Sequence, residues 1–156
     1  MSVTQEPITD DVPAIITTRV IEVSKGTLFK AYSDPEILAQ WWGPKGFTNT
    51  FHEFDFNPDG QWNFIMRGPD GKDYKNKIVF REIVPLEKIV FDHASGPYYK
   101  GTVTFTDTDQ PNCTQLSYAM ILESPKVYNN LKDFIAGANE ENFDRLEETL
   151  SKLTKK

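Results

Sequence analysis

The sequence predicts an α+β fold: a curved antiparallel sheet wrapped around a long C-terminal helix, with two short helices after the first strand. Three observations predict it. Between residues 47 and 123, six segments read as strands joined by short turn sequences. One amphipathic segment, residues 127–156, closes the chain. A separate β-branched segment, residues 14–23, is divided from the other strands by helix signals. A sheet with one apolar face needs a cover, and only the last segment is long enough to supply it. A strongly curved sheet gripping a helix leaves a space between the two.

The elements follow in order. Residues 1–12 are polar and acidic and read as a flexible N-terminal arm, with a single domain over 13–156. "AIITTRVIEV" (14–23) is the first strand. Ser24 offers an N-cap for "KGTLFKAY". Asp34 caps a second helix, with Pro35 at its first position and Gly43-Pro44 at its end. The strands 47–56, 61–67, 74–84, 88–94, 98–106 and 114–123 follow. Both "PDG" turns place Gly where a tight hairpin needs positive φ. The short connections predict a meander, and the strands at 14–23 and 47–56 are the edges that would pair across a homodimer. In the closing helix, Leu131, Phe134, Ile135, Ala138, Asn142, Leu146, Leu150 and Leu153 form a stripe at spacings of three or four.

Composition excludes several classes. The chain has 156 residues, 38% hydrophobic and 26% charged, with net charge −6. That length buries a core without staples. Nucleic acid and anionic membrane surfaces are disfavoured as partners, because no Lys/Arg cluster appears before the terminal "TKK". One cysteine, Cys113, rules out an intrachain disulfide. No secretory pattern and no apolar run of about 20 residues is present, so a cytoplasmic address is expected.

Several stretches together resemble a known family. They are "FKAYSDPEILAQWWGPKGF" (29–47), "DFNPDGQWNFIMRGPDG" (55–71), "REIVPLEKIVF" (81–91), "GTVTF" (101–105) and "NFDRLEETL" (142–150). In these the chain resembles the activator-of-heat-shock-chaperone-ATPase homologues (AHSA-type) of the START/polyketide-cyclase-like (SRPBCC) superfamily. The similarity runs over about residues 15–153. It implies a helix-grip (START-like, Bet v-like) fold. One departure is "VSKG" (23–26), where family members usually carry a proline. The resemblance also implies a cavity between sheet and long helix. Some members bind or transform hydrophobic and aromatic molecules, some dock on a chaperone, and no universal catalytic set carries over.

The chemistry legible in the residues is sparse. No metal or cofactor is expected: two histidines and one cysteine lie far apart, and no phosphate-loop pattern occurs. The acidic run 139–148 reads as the solvated face of the last helix. Asp92 and His93 point to opposite faces of a strand and form no dyad. "HAS" (93–95) reads as a strand end. His93 shares its face with Phe91 and Ile89 and is the best single titratable candidate, although a satisfied buried histidine is the simpler reading. His52 falls on a face with Phe54 and Phe56.

Aromatic residues make up 13% of the chain. Alternation puts Trp62, Phe64 and Met66 on one strand face, Tyr99, Val103 and Phe105 on another, and Leu116, Tyr118, Met120 and Leu122 on a third. If these meet Phe134, Ile135 and Ala138 of the helix, with Gly137 removing bulk at the crossing, the space between is apolar with a few polar tips. Trp41 and Trp42 are adjacent, so their rings diverge; one reads as a packing wedge and the other as the rim of the space. The candidate ligand-binding residues are thus Trp41, Trp42, Trp62, Phe64, Met66, Phe91, His93, Tyr99, Tyr118, Met120, Phe134 and Ala138. The alternative is a core that these side chains fill completely.

Three functions compete. The first is a binding protein for a hydrophobic or aromatic small molecule, with a stress- or toxin-response role. The second is a cyclase-, aromatase- or hydrolase-type enzyme on the same cavity, ranked lower because no convergent acid/base set exists. The third is a co-chaperone that stimulates a chaperone ATPase through an exposed surface.

Overall fold

β1 (Ala14–Ile21) alternates cleanly, with Ile15, Thr17 and Ile21 buried and Ile16 and Val20 exposed. It opens a computed structural model that describes residues 13–96 and 98–154; the predicted N-terminal arm lies outside them. Next come α1 (Lys25–Ser33) and α2 (Pro35–Trp41). The Ser24 hydroxyl accepts from the Thr27 N–H at 3.2 Å, as an N-cap should. Asp34 ends one helix and starts the next. Its N–H donates to the Lys30 carbonyl, while its carboxylate accepts from the Glu36 N–H at 2.9 Å. Pro35 then locks the first position of α2.

The meander follows as β2 (Thr48–Phe54), β3 (Gln61–Arg67), β4 (Asp73–Val84), β5 (Lys88–His93), β6 (Tyr99–Asp107) and β7 (Thr114–Leu122). Among the described residues these form one seven-stranded antiparallel sheet in the order β1-β7-β6-β5-β4-β3-β2. The two expected strands are its edges. The register slips between Phe51 and Glu53 in β2 and between Phe80 and Glu82 in β4. Such bulges bend a sheet. The first also corrects the reading of His52: the alternation from Phe51 to Phe54 is broken, and His52 is exposed while Phe54 packs on the core. The positive φ expected in each "PDG" turn occurs at Gly71 (86°) but not at Gly60, where Asp59 takes it instead (68°). Gly60 is needed for space, since a Cβ there would lie 2.9 Å from the Asn57 carbonyl oxygen.

α3 (Pro125–Thr154) crosses the concave face. Its C-terminal half buries Asn142, Phe143, Leu146 and Leu150. Two arginines fasten that half. Arg19 of β1 meets Glu140, Asp144 and Glu147 at 2.6, 2.8 and 3.0 Å. Arg145 donates to the carbonyls of Gln40, Trp42, Gly43 and Pro44 at 2.9 to 3.3 Å, closing the C-terminal end of α2. The first turns of the N-terminal half are seated by the partly buried Val127, Tyr128 and Leu131, and its end by the buried Ile135 and Asn139.

The helix stripe differs from expectation. Phe134 is 70% exposed and does not face the sheet. Neighbours on a helix point about 100° apart, and Ile135 takes the buried position. Asn139, Phe143 and Thr149 are buried, whereas Leu153 is exposed. Gly137 has open space where a Cβ would stand, so it relieves no close crossing.

Candidate functional site

The inward faces of β3, β5, β6 and β7 bring most of the predicted residues together in two clusters. The first is aromatic and tightly filled. Trp62 stacks on Phe64 at 4.4 Å between ring centroids and lies 5.1 Å from Trp42. Phe51, Phe54 and Phe80 complete the surround at 5.3 to 6.1 Å. The Trp62 Nε1–H is buried and has no hydrogen-bond partner. Met66 is half-buried and lies against Gly43, whose φ of 101° admits no side chain without strain.

The two adjacent tryptophans divide their roles. Trp41 is fully buried, donates Nε1–H to the Ala31 carbonyl at 3.1 Å and meets Tyr32 edge-on, so it ties α2 to α1. Trp42 reaches the sheet, 6.4 Å from the Tyr118 ring. Trp42 therefore links the first cluster to the second.

The second cluster has polar tips. Phe91, His93, Tyr99, Tyr118 and Met120 lie on adjacent central strands. The Tyr99 and Tyr118 hydroxyls are 3.0 Å apart. Burial is the main cause that holds Tyr99 up to about 12, with the Tyr118 hydrogen bond opposing it. Burial also raises Tyr118 well above the usual phenol value, and Tyr32 likewise. A pair of neutral hydroxyls shares one proton and has a second left to donate.

His93 stacks on Tyr99, with ring centroids 4.8 Å apart at 12°. Its Nδ1 faces the Ser95 carbonyl at 2.7 Å and its Nε2 faces Asn76 Oδ1 at 2.8 Å. The Asn76 amide is oriented by its own donation to the Tyr74 carbonyl at 3.0 Å. Both ring nitrogens therefore face oxygens. To serve as a base toward a substrate, His93 would first have to give up one of these partners.

On the helix side, Ala138 is half-buried and Phe134 is turned away. The polar group that does face the sheet is Asn139, whose Nδ2 lies 3.3 Å from Thr17 Oγ1 and 3.4 Å from Met120 Sδ. Asn142 Oδ1 accepts from the Gly43 N–H at 3.1 Å. Asn76 and Asn139 were missed in the sequence. The available signal was a polar residue in an apolar row: Asn76 two before Ile78, and Asn139 four after Ile135. Among the described residues, no group of three or more His, Cys, Asp or Glu side chains is placed to hold a metal. Among the described residues, no helix is long and apolar enough to cross a membrane.

Comparison with known proteins follows this geometry. The family model described as "Activator of Hsp90 ATPase homolog 1-like protein" matches residues 22–151. No match was found among curated proteins. Among solved structures, a protein of Nitrosomonas europaea superposes with a TM-score of 0.83 at 17% identity, covering 95% of this chain and 99% of that one. A Mycobacterium smegmatis protein gives 0.80 at 22% identity, covering 94% and 99%. The AHSA1 protein of Silicibacter pomeroyi gives 0.72 at 19% identity, covering 88% and 97%. At these identities the structures share the helix-grip fold.

Proposed function

From the premise that this chain belongs to the family of Activator of Hsp90 ATPase homolog 1-like proteins, we propose that it binds a small aromatic molecule between the sheet and α3. The binding wall is the second cluster. The observation that carries this reading is the Tyr99–Tyr118 hydroxyl pair, buried in an aromatic surround with one proton left to donate. Such a wall suits a planar ligand with one acceptor oxygen, such as an aromatic ketone. The loosely seated first half of α3 supports an entry route, because α3 starts three residues after Leu122, which pairs with Tyr99.

The test is displacement of an environment-sensitive dye by aromatic ketones and by the matching hydrocarbons, with native mass spectrometry of the same mixtures. Ketones should compete better, and Tyr118→Phe should weaken them about fivefold, the worth of one hydrogen bond at about 1 kcal/mol. No displacement and no bound mass across the series would sink the reading. The family description also favours a second reading, stimulation of a chaperone ATPase. An unchanged ATPase rate at saturating protein removes it.

A further inference from the structure

The outer face of the sheet carries a groove of about 500 Å³ over β3, whose lining residues Asn76 and Ser95 also hold the His93 ring. Asn63 and Ile65 line its floor, His52 stands on the β2 bank, Lys75 and Lys77 on the β4 bank, and Ser95 lies at one end. Its position opposite the aromatic face follows from alternation, since Trp62, Phe64 and Met66 point inward.

Two unmatched lysines make this groove cationic, and His52 adds a hydrogen-bonding ring to its bank. The bulge between Phe51 and Glu53 turns His52 outward, and bulges commonly re-aim one side chain in this way. Farther along the same face, Arg67 is held by Asp73 at 2.7 Å, and Arg81 by Asp59 and Asp92 at 3.1 and 2.8 Å, so their charge is already matched. Lys75 and Lys77, between them, make no ion pair among the described residues. This local excess of positive charge stands on a chain of net charge −6.

The donor set can be worked out. Ser95 Oγ accepts from the Lys77 backbone N–H at 3.2 Å, which leaves its hydroxyl proton to donate. The Asn63 amide donates to Glu53 at 2.7 Å and to Gln61 at 3.3 Å, so it is committed elsewhere. We propose that Lys75, Lys77, His52 and the Ser95 hydroxyl form a binding site for a small multivalent anion, a phosphate ester or a polycarboxylate. The banks lie two strand spacings apart, about 9–10 Å, and the two lysines are about 7 Å apart along β4. One point charge does not span this triangle, whereas a molecule with two or three anionic groups does. Single exposed ion pairs are weak, so the contacts must act together and the affinity must fall with salt. Glu53, beside the groove, opposes binding.

The test is a two-dimensional amide NMR titration of the full chain with pyrophosphate and, separately, citrate, against sodium chloride at equal ionic strength. Saturable shifts at residues 50–53, 63–65, 75–77 and 95 are expected with at least one anion. Pyrophosphate alone would assign the phosphate class, and citrate alone the carboxylate class. The double variant K75Q/K77Q should weaken binding at least tenfold with an unchanged melting temperature, and E53Q should tighten it two- to threefold. Shifts that merely follow ionic strength, or undiminished saturation in K75Q/K77Q, would overturn the proposal. Asn76 and Ser95 also hold the His93 ring, so the outcome is kept apart from the aromatic-ligand test by shifts at residues 50–53, 65, 75 and 77, which lie off the Tyr99–Tyr118 wall.

Discussion

Gly101→Ala would test whether the wall of the interior site is already close-packed. Gly101 lies at the middle of β6, directly opposite Phe91 on one side and Met120 on the other. A Cβ there would overlap Phe91 Cζ and stand 2.7 and 2.8 Å from its two Cε atoms. The ring must retreat by roughly 1 Å to regain ordinary contact. Tyr99 and Tyr118 flank it at centroid distances of 6.0 and 6.2 Å, which limits where it can go. Overpacking of this kind costs about 1–3 kcal/mol. Replacing a strand glycine returns about 0.5–1 kcal/mol of backbone entropy. The central net loss is about 1 kcal/mol, a fall in melting temperature of roughly 2–4 °C for a domain of this size. The assay is thermal and urea unfolding of the parent, Gly101→Ala, Phe91→Leu and the double variant. The double variant should be more stable than the sum of the singles predicts, by about 1 kcal/mol. A Gly101→Ala protein as stable as the parent, or strict additivity in the double variant, would refute the reasoning.

Three other outcomes are expected. Gly137→Ala should raise stability by about 0.5–1 kcal/mol in urea unfolding, because this glycine sits inside α3 with open space around it. Arg145→Met should cost about 2 kcal/mol in the same assay, since it strips the donor from four carbonyls at the end of α2; Trp42 emission should shift as the loop loosens. The buried phenols make stability fall in alkali. Tyr99 is raised from 10.0 to about 12, and Tyr118 and Tyr32 are also raised. The unfolded chain therefore loses these protons first, so their stabilisation is complete below pH 10 and declines as pH rises toward 12. Melting curves and tyrosinate absorbance over that range check it; a folded protein whose absorbance follows the titration curve of the denatured chain throughout would contradict it.

The inward faces were legible because a strand has a period of two and little else to go wrong. Trp62 and Phe64, Phe91 and His93, and Tyr118 and Met120 all lie on the face their alternation assigns. His52 defeated the same rule because one inserted residue shifts the phase, and nothing in "TFHEF" marks the insertion. On α3, hydrophobicity misplaced the stripe. Phe134 looked like core and Asn139 did not, yet Asn139 is buried because Thr17 and Met120 meet it there. Those partners are distant in sequence, so the satisfaction of a buried amide cannot be read locally. That the Trp41 and Trp42 rings diverge was legible from their adjacency. Which ring would turn to the sheet depended on the Ala31 carbonyl receiving Trp41.

The two halves of α3 are held differently. Its C-terminal half is clamped from one side by Arg19 with three carboxylates and from the other by Arg145 on the α2 carbonyls. Its N-terminal half rests on the partly buried Val127, Tyr128 and Leu131 and the buried Ile135, and turns Phe134 to solvent. The tightly filled aromatic cluster around Trp62 is reached from the clamped side through Trp42. The polar-tipped wall lies at the other end, where Tyr99 pairs with Leu122 shortly before α3 begins. On the proposed reading, a ligand entering there would displace the partly buried contacts at the start of α3 and press on Ile135, while the clamps preserve the rest of the fold. Binding should therefore slow amide exchange in residues 125–138 and leave residues 139–150 nearly unchanged. Equal protection along the whole helix would mean that the two halves do not move separately.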